Sequence, residues 1–195
     1  MKKDIILAGV GGQGILSIAA TIGTAAIQDG LHLKQAEVHG MSQRGGAVQS
    51  HLRISSEEIF SDLITLGKAD IIISIEPMES LRYLNMLSKD GWLITNIHPE
   101  VNIPDYPDME ELLAEVRKIR NHIALDAVKI AKEIGTPKTA NIVTLGAATA
   151  HLGMDYETLE NAIRTIFKTK GEDMISMNLN AMEAGRKFAD EYKKC

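Results

Sequence analysis

The chain has 195 residues, a net charge of −5, 45% hydrophobic residues and 4% aromatic residues. This length suits one packed core, so we expect residues 1–195 to form a single domain. The acidic balance argues against a general nucleic-acid binder, and no apolar run is long enough to span a bilayer. The one cysteine, Cys195, permits no internal disulfide, which is typical of the cytoplasm.

The first predicted elements are a strand, a tight turn and a helix. The apolar run 5–8 leads into Gly9, Gly11 and Gly14, which have the G-x-G-x-x-G spacing, and the small-residue stretch 15–27 predicts a helix. Such a turn lets a ligand approach the main chain and directs unpaired helix N–H groups at it, so it suits a phosphate or pyrophosphate. The same glycines also fit close packing of the helix on the strand without a ligand.

A dinucleotide site of this kind also needs an acidic residue near the end of the second strand. Glu37 lies near that place, but Lys34 and Gln35 weaken the apolar pattern before it. Glu37 equally fits a solvated strand end, and we infer no nicotinamide cofactor from it.

The rest of the chain alternates strand and helix patterns and then becomes helical. The β-branched run 70–75 predicts a buried parallel strand, and Pro77 opens a helix. We expect an α/β fold, with a doubly wound, mostly parallel, Rossmann-like sheet and a helical C-terminal third. The other predicted elements, in chain order, are strands over 48–54, 92–96 (after a turn at 89–91) and 119–125, helices over 77–87, 109–116 and 126–134, and helices over 140–152, from Asp155 and over 174–194.

The predicted helix over 140–152 is apolar on nearly every side. An all-round apolar helix must be covered completely. It is either buried within the domain or a contact surface for a partner chain. Together with Met174, Met177 and Met182, which suit adaptable contacts, it leads us to expect that the isolated chain self-associates.

A second glycine-rich motif lies between the second and third strands, over residues 39–46. Its glycines expose backbone N–H groups, and Arg44 offers a rigid set of donors for phosphate or carboxylate, although an ordinary turn with a surface arginine is the alternative. Both motifs follow strands, where open α/β sheets bind ligands, so we expect them to face one crevice. The predicted ligand-binding residues are Gly9, Gly11, Gly12, Gln13, Gly14, Ser42, Gln43, Arg44, Gly45 and Gly46.

The order and spacing of these motifs resemble a known family. Residues 9–14, 42–46, 48–55 and the Ala69-Asp70 pair are similar to the gamma subunit or domain of the 2-oxoacid:ferredoxin oxidoreductases, and 140–146 is similar to that family's late helical motif. The resemblance covers almost the entire chain. Its short, separate form is most similar to the beta subunit of the indolepyruvate:ferredoxin oxidoreductases, and the separate gamma subunits of the pyruvate, 2-oxoisovalerate and 2-oxoglutarate enzymes are near neighbours that the sequence does not separate from it.

The resemblance implies a division of labour between subunits. In this family the enzyme decarboxylates a 2-oxoacid on thiamine diphosphate, passes electrons to ferredoxin and forms an acyl-coenzyme A. Thiamine diphosphate and the iron–sulfur clusters are expected on a larger partner subunit, which fits a chain with one cysteine and no G-D-G motif. This chain is then a non-redox subunit, inactive alone, whose two glycine loops contribute to coenzyme A handling.

Two other functions remain open from the sequence: a free-standing dinucleotide-binding oxidoreductase or ligand-binding module, and a scaffold whose glycine loops bind nothing. No metal site is predicted, because no His/Cys cluster has zinc spacing. No catalytic side chain is assigned either. Glu76, after a predicted strand, could reach the crevice but also fits a helix-entry carboxylate.

Overall fold

The computed structural model describes residues 1–40 and 45–192, which form a six-stranded sheet covered by helices on both faces. This confirms the α/β class and the helical C-terminal third. The strands are β1 (Lys2–Val10), β2 (His32–His39), β3 (Ala47–Ser55), β4 (Ala69–Ser74), β5 (Leu87–Asn96) and β6 (His122–Leu125). The α-helices are α1 (Ile15–Gln28), α2 (Pro77–Arg82), α3 (Met109–Arg117), α4 (Ala127–Glu133), α5 (Ala140–Leu152), α6 (Tyr156–Phe167) and α7 (Glu172–Glu191).

The strand order is β2-β3-β1-β4-β5-β6. The β1–β4, β4–β5 and β5–β6 pairs are parallel, whereas β3 runs antiparallel to both of its neighbours. Among the described residues the sheet is therefore mostly parallel, as predicted. Its first half departs from the doubly wound pattern, because β2 and β3 form a hairpin instead of being joined by a crossover helix.

The core lies on both faces of the central strand β4. Ile71 and Ile73 of β4 belong to the larger cluster, which packs against α1 and the C-terminal helices, and Ile72 belongs to a smaller cluster with Leu112 and Val116 of α3. All three isoleucines are at most 1% exposed. A continuous β-branched run is what a strand buried on both faces requires, so the interpretation of 70–75 is confirmed.

Helix α5 is buried inside the domain. Eleven of its thirteen residues are buried, and it packs against α1, α4, α7, β4 and β5. Its apolar surface is thus covered within this chain, and the interpretation of 140–152 as a partner surface is wrong.

Three predicted boundaries differ in the structure. The helix that starts at Pro77 ends at Arg82, since Leu87 already pairs with Ala69 in β5. The turn predicted at 89–91 is an irregularity inside β5, because the next pair joins Ile71 to Trp92 and β5 must absorb the extra residues. At the β6 end, Ile119 still donates to the Val116 carbonyl at the close of α3, so the strand starts only at His122.

Candidate functional site

The first glycine turn joins β1 to α1 and is braced by its own glutamine. Gly12 and Gly14 have φ values of +101° and +82°, which favour glycine. The Gln13 N–H donates to the Val10 carbonyl at 3.1 Å, and the Gln13 side-chain oxygen accepts from the Val10 N–H at 2.9 Å. Gln13 therefore shapes the turn, and its Oε1 is already used within it.

The glycines of this turn differ in what surrounds them. A Cβ on Gly9 would lie 2.9 Å from both Gln13 Oε1 and Ile15 Cδ1, and a Cβ on Gly14 would lie 2.6 Å from Asn141 Nδ2. The Asn141 amide, in the first turn of α5, donates to the Gly14 carbonyl at 3.1 Å. Gly9 and Gly14 therefore allow close packing, of β1 against the start of α1 and of the turn against α5, whereas a Cβ on Gly12 would meet nothing within 4 Å.

The start of α1 offers N–H groups without acceptors. No side chain of residues 1–40 and 45–192 caps the helix, and its first turn holds no acidic residue. The Gly11 N–H donates to the Gly46 carbonyl, but for the N–H groups of Gly12, Gly14 and Ile15 we find no acceptor among residues 1–40 and 45–192. Unpaired N–H groups at the positive end of a 14-residue helix favour an anion.

The second glycine loop lies beside the first, as the one-crevice expectation requires. Gly46 accepts from Gly11 at 2.9 Å, and the Gly40 N–H donates to the Ala47 carbonyl at 3.0 Å at the base of the hairpin. Gly45 has a φ of +78°. Ser42, Gln43 and Arg44 lie outside the described residues, so their part in the site stays a prediction.

A third segment, residues 97–108, borders the same edge of the sheet, and the sequence did not place it there. The Asn102 amide donates to the Gly45 carbonyl, which ties this segment to the second loop. It contains three prolines, which is typical of a loop. The signal for its position was that it follows β5, a parallel strand whose carboxyl end shares the edge with β1.

Glu76 anchors the other end of this segment and does not face the crevice as a free carboxylate. Its side chain is fully buried. Oε2 accepts from the Glu79 N–H at 2.8 Å as the α2 cap, and Oε1 accepts from the Tyr106 hydroxyl and, at 3.4 Å, from the Glu100 N–H. Burial is the main cause that raises the pKa of Tyr106 above its ordinary value, and the hydrogen bond to Glu76 is the second cause. The phenol therefore stays a donor. Glu76 is the helix-entry carboxylate.

Glu37 lies away from the place that a dinucleotide site requires. It belongs to β2, which is separated from β1 by the antiparallel strand β3. In a dinucleotide-binding domain the acidic residue ends the parallel strand next to the first. The strand order therefore disfavours a dinucleotide at the first glycine turn.

The described residues form neither a metal site nor a membrane-spanning helix. Within the described ranges, no group of three or more His, Cys, Asp or Glu residues could hold a metal ion. None of the helices in the same ranges is long and apolar enough to cross a membrane.

Comparison with known proteins gives a family and a fold. Residues 4–188 match the model of the family described as pyruvate ferredoxin/flavodoxin oxidoreductase. Indolepyruvate oxidoreductase subunit IorB of Pyrococcus horikoshii is 38% identical over 202 aligned residues, covering 98% of both chains.

Two solved structures share the fold. One is the gamma subunit of a keto/oxoacid ferredoxin oxidoreductase from Geobacter sulfurreducens, with a TM-score of 0.72, 24% identity and coverage of 97% of this chain and 99% of that one. The other is 2-oxoglutarate:ferredoxin oxidoreductase from Magnetococcus marinus, solved with 2-oxoglutarate, coenzyme A and succinyl-CoA. It has a TM-score of 0.77 and 22% identity, and the match covers all of this chain but 32% of that one.

Proposed function

We propose that this chain is the non-redox subunit of an indolepyruvate-type enzyme. The chain belongs to the pyruvate ferredoxin/flavodoxin oxidoreductase family and is a subunit of a 2-oxoacid:ferredoxin oxidoreductase. The observation that carries the proposal is the 38% identity with an indolepyruvate oxidoreductase subunit along nearly the whole of both chains. The chain's part in the reaction is to help bind coenzyme A and to complete the assembly.

The crevice between the glycine loops supports a coenzyme A contact. Coenzyme A carries a diphosphate, and the N–H groups of Gly12, Gly14 and Ile15 lie at the positive end of α1 without acceptors among the described residues. Gly12 leaves open space where a Cβ would stand. Arg44, outside the described residues, is proposed to add a fixed positive charge from the second loop. These groups bind and orient a phosphate and take no part in bond breaking.

The sequence lacks the cysteines that usually hold iron–sulfur clusters, and it has no G-D-G motif for thiamine diphosphate. A cluster takes about four thiolates, and the whole sequence has one cysteine. We therefore assign both groups to a larger partner subunit, where the 2-oxoacid is decarboxylated and from which ferredoxin takes the electrons. A chain with a single cysteine suits the reducing cytoplasm, where we place the enzyme.

The first test is activity of the separate parts. The isolated chain should be colourless and should not reduce a viologen dye with any 2-oxoacid and coenzyme A. Mixing it with its large subunit should restore turnover, and a panel of 2-oxoacids should give indolepyruvate as the best substrate. Turnover by the lone chain would overturn the proposal, as would an unchanged rate when the chain is left out.

The second test addresses coenzyme A. In the reconstituted enzyme, Arg44→Ala should raise the apparent KM for coenzyme A about ten-fold or more, since a charge-assisted hydrogen bond contributes roughly 1.5–3 kcal/mol. The KM for the 2-oxoacid should not change. Arg117→Ala, which removes a half-exposed arginine from α3, is the matched control. Equal rises in both constants would show that the second loop is structural.

A further inference from the structure

In the connection between β3 and β4, two large apolar side chains are buried and three are exposed. The connection contains residues 56–68, no helix or strand forms in it, and it passes the amino-terminal edge of the sheet, opposite the glycine loops. Ile59 and Ile64 are buried at 8% and 4% exposure. Phe60, Leu63 and Leu66 point outward, with 86%, 57% and 64% of their surface exposed. We call residues 56–66 the edge loop.

The edge loop is fastened to the sheet by side chains of β3. The Arg53 guanidinium donates to the carbonyls of Ser61 at 2.9 Å and Leu63 at 3.2 Å. Arg53 is itself held by the buried Asp4 carboxylate at 2.7 Å. His51 Nδ1 accepts from the Ile64 N–H at 3.0 Å. These hydrogen bonds fix the backbone of the edge loop, so its apolar side chains stay exposed to solvent in a defined arrangement.

Exposed apolar side chains are closely spaced in the edge loop, within residues 60–66. Nine large apolar side chains are exposed among the described residues, and three of them belong to the edge loop. Met1, a fourth, lies beside it, since its carbonyl accepts from the Ser56 N–H. Apolar patches that are held rigid and rimmed by polar groups are typical of protein interfaces, where an aromatic anchor contributes much of the affinity.

We propose that the edge loop is the surface by which this chain binds the large subunit of its enzyme; this rests on the proposed function. In the Magnetococcus marinus structure the same fold makes up 32% of a longer chain, so there it is joined to further protein. A separate chain of this fold must meet that protein through a surface of its own. The edge loop also lies away from the glycine loops, so a subunit bound there leaves the crevice open.

Charge favours a different partner over a second copy of this chain. Glu57, Glu58 and Asp62 are exposed and belong to the same loop as the exposed apolar side chains. In a two-fold dimer the same patch meets its own copy, so these like charges would face each other. A partner with an apolar pocket and a basic rim would instead be complementary.

The experiment uses this chain co-expressed with its own large subunit. The wild-type chain should co-elute with it. Phe60→Ser and Leu63→Ser should each weaken binding at least ten-fold in a titration followed by interferometry. Ile27→Ser is the control, because Ile27 is 65% exposed on α1, and its affinity should be unchanged. Because all three side chains are exposed, each variant should keep the wild-type circular dichroism and thermal midpoint.

The outcomes separate this inference from the proposed function. If the wild-type chain does not bind the large subunit, the proposed function is wrong and this inference is overturned with it. If it binds and both edge-loop variants bind equally well, only the edge-loop inference is wrong. If the variants lose self-association in light scattering but keep their large-subunit affinity, the surface belongs to a second copy, which also overturns it.

Discussion

Glycine serves opposite purposes at two places in this molecule. Where α5 crosses α7, a Cβ on Gly146 would lie 2.1 Å from the Met182 carbonyl oxygen, and one on Gly185 would lie 1.9 Å from that of Val143. At the first glycine turn, a Cβ on Gly12 would meet nothing within 4 Å. At the crossing, glycine lets two backbones touch. At the turn, it leaves the backbone open to a ligand.

The largest expected effect is at the crossing. Gly146→Ala or Gly185→Ala puts a methyl group into a neighbouring backbone, which cannot turn aside as a side chain can. Overpacking typically costs about 1–3 kcal/mol, and we expect a loss of free energy of unfolding at or above the top of this range. Urea unfolding of the isolated chain measures it.

The control for the crossing is Gly30→Ala. Gly30 has a φ of +69°, and a Cβ added to it would meet no atom within 4 Å, so this variant reports left-handed backbone strain without a clash, at about 1 kcal/mol. If the control loses as much stability as the two crossing variants, the difference between packed and open glycines is not the cause.

Gly14 lies between the two cases and should show an intermediate effect. Its φ is +82°, but the atom nearest to an added Cβ is the end of the Asn141 side chain, which can move. Gly14→Ala should cost about 1–3 kcal/mol from backbone strain and the lost hydrogen bond. A double-mutant cycle with Asn141→Ala measures the coupling: removing the amide should relieve part of the loss, so strictly additive effects would contradict the contact.

Gly12→Ala should have a small effect on stability and a larger one on ligand binding. Strain at φ +101° costs about 1 kcal/mol, while the methyl group enters the open part of the crevice. In the reconstituted enzyme the apparent KM for coenzyme A should rise, and that for the 2-oxoacid should not. An unchanged KM for coenzyme A would mean that the open space at Gly12 is not used by this ligand.

These two regions also show what the sequence could predict. Clustered glycines after a strand have a known spacing, so the turn at Gly9–Gly14 and its helix were predicted closely. Gly146 and Gly185 are single glycines in helices far apart in sequence, and only the fold brings them together. Asn102 and Tyr106 were unpredictable as site neighbours for the same reason, since their partners Gly45 and Glu76 lie on other segments.

The smallest effect concerns pH, and it should arise at neither glycine region. Burial lowers the pKa of His51; the charge of Asp62 acts against this shift, and the charge of Arg53 adds to it. The Nδ1 atom of His51 already accepts a hydrogen bond from the Ile64 N–H. The unfolded chain, with an ordinary histidine pKa of about 6.5, takes up the proton first as pH falls. Stability from this group is therefore complete above that value and is lost as pH drops towards the lower folded pKa.

Urea unfolding at pH 7.5 and 5.5 measures this loss. His51→Gln should reduce the difference between the two pH values. The cost of Gly146→Ala should be the same at both, because Val143, Met182 and the other atoms at the crossing do not titrate. A pH-dependent cost there would contradict a purely steric origin.

The reversed strand β3 has a consequence for how the molecule folds. The β2–β3 hairpin closes over the few residues 40–46, and hairpins form in about 1–10 μs. Strand β1 pairs with β3 on one side and with β4 on the other, and both partners come much later in the chain, as in the pairing of Ile5 with Ile71. Distant pairings pay more loop-closure entropy and form slowly. Strand β1 is synthesised first, but we expect it to be among the last strands to dock. The crevice between the glycine loops is then completed only when folding ends.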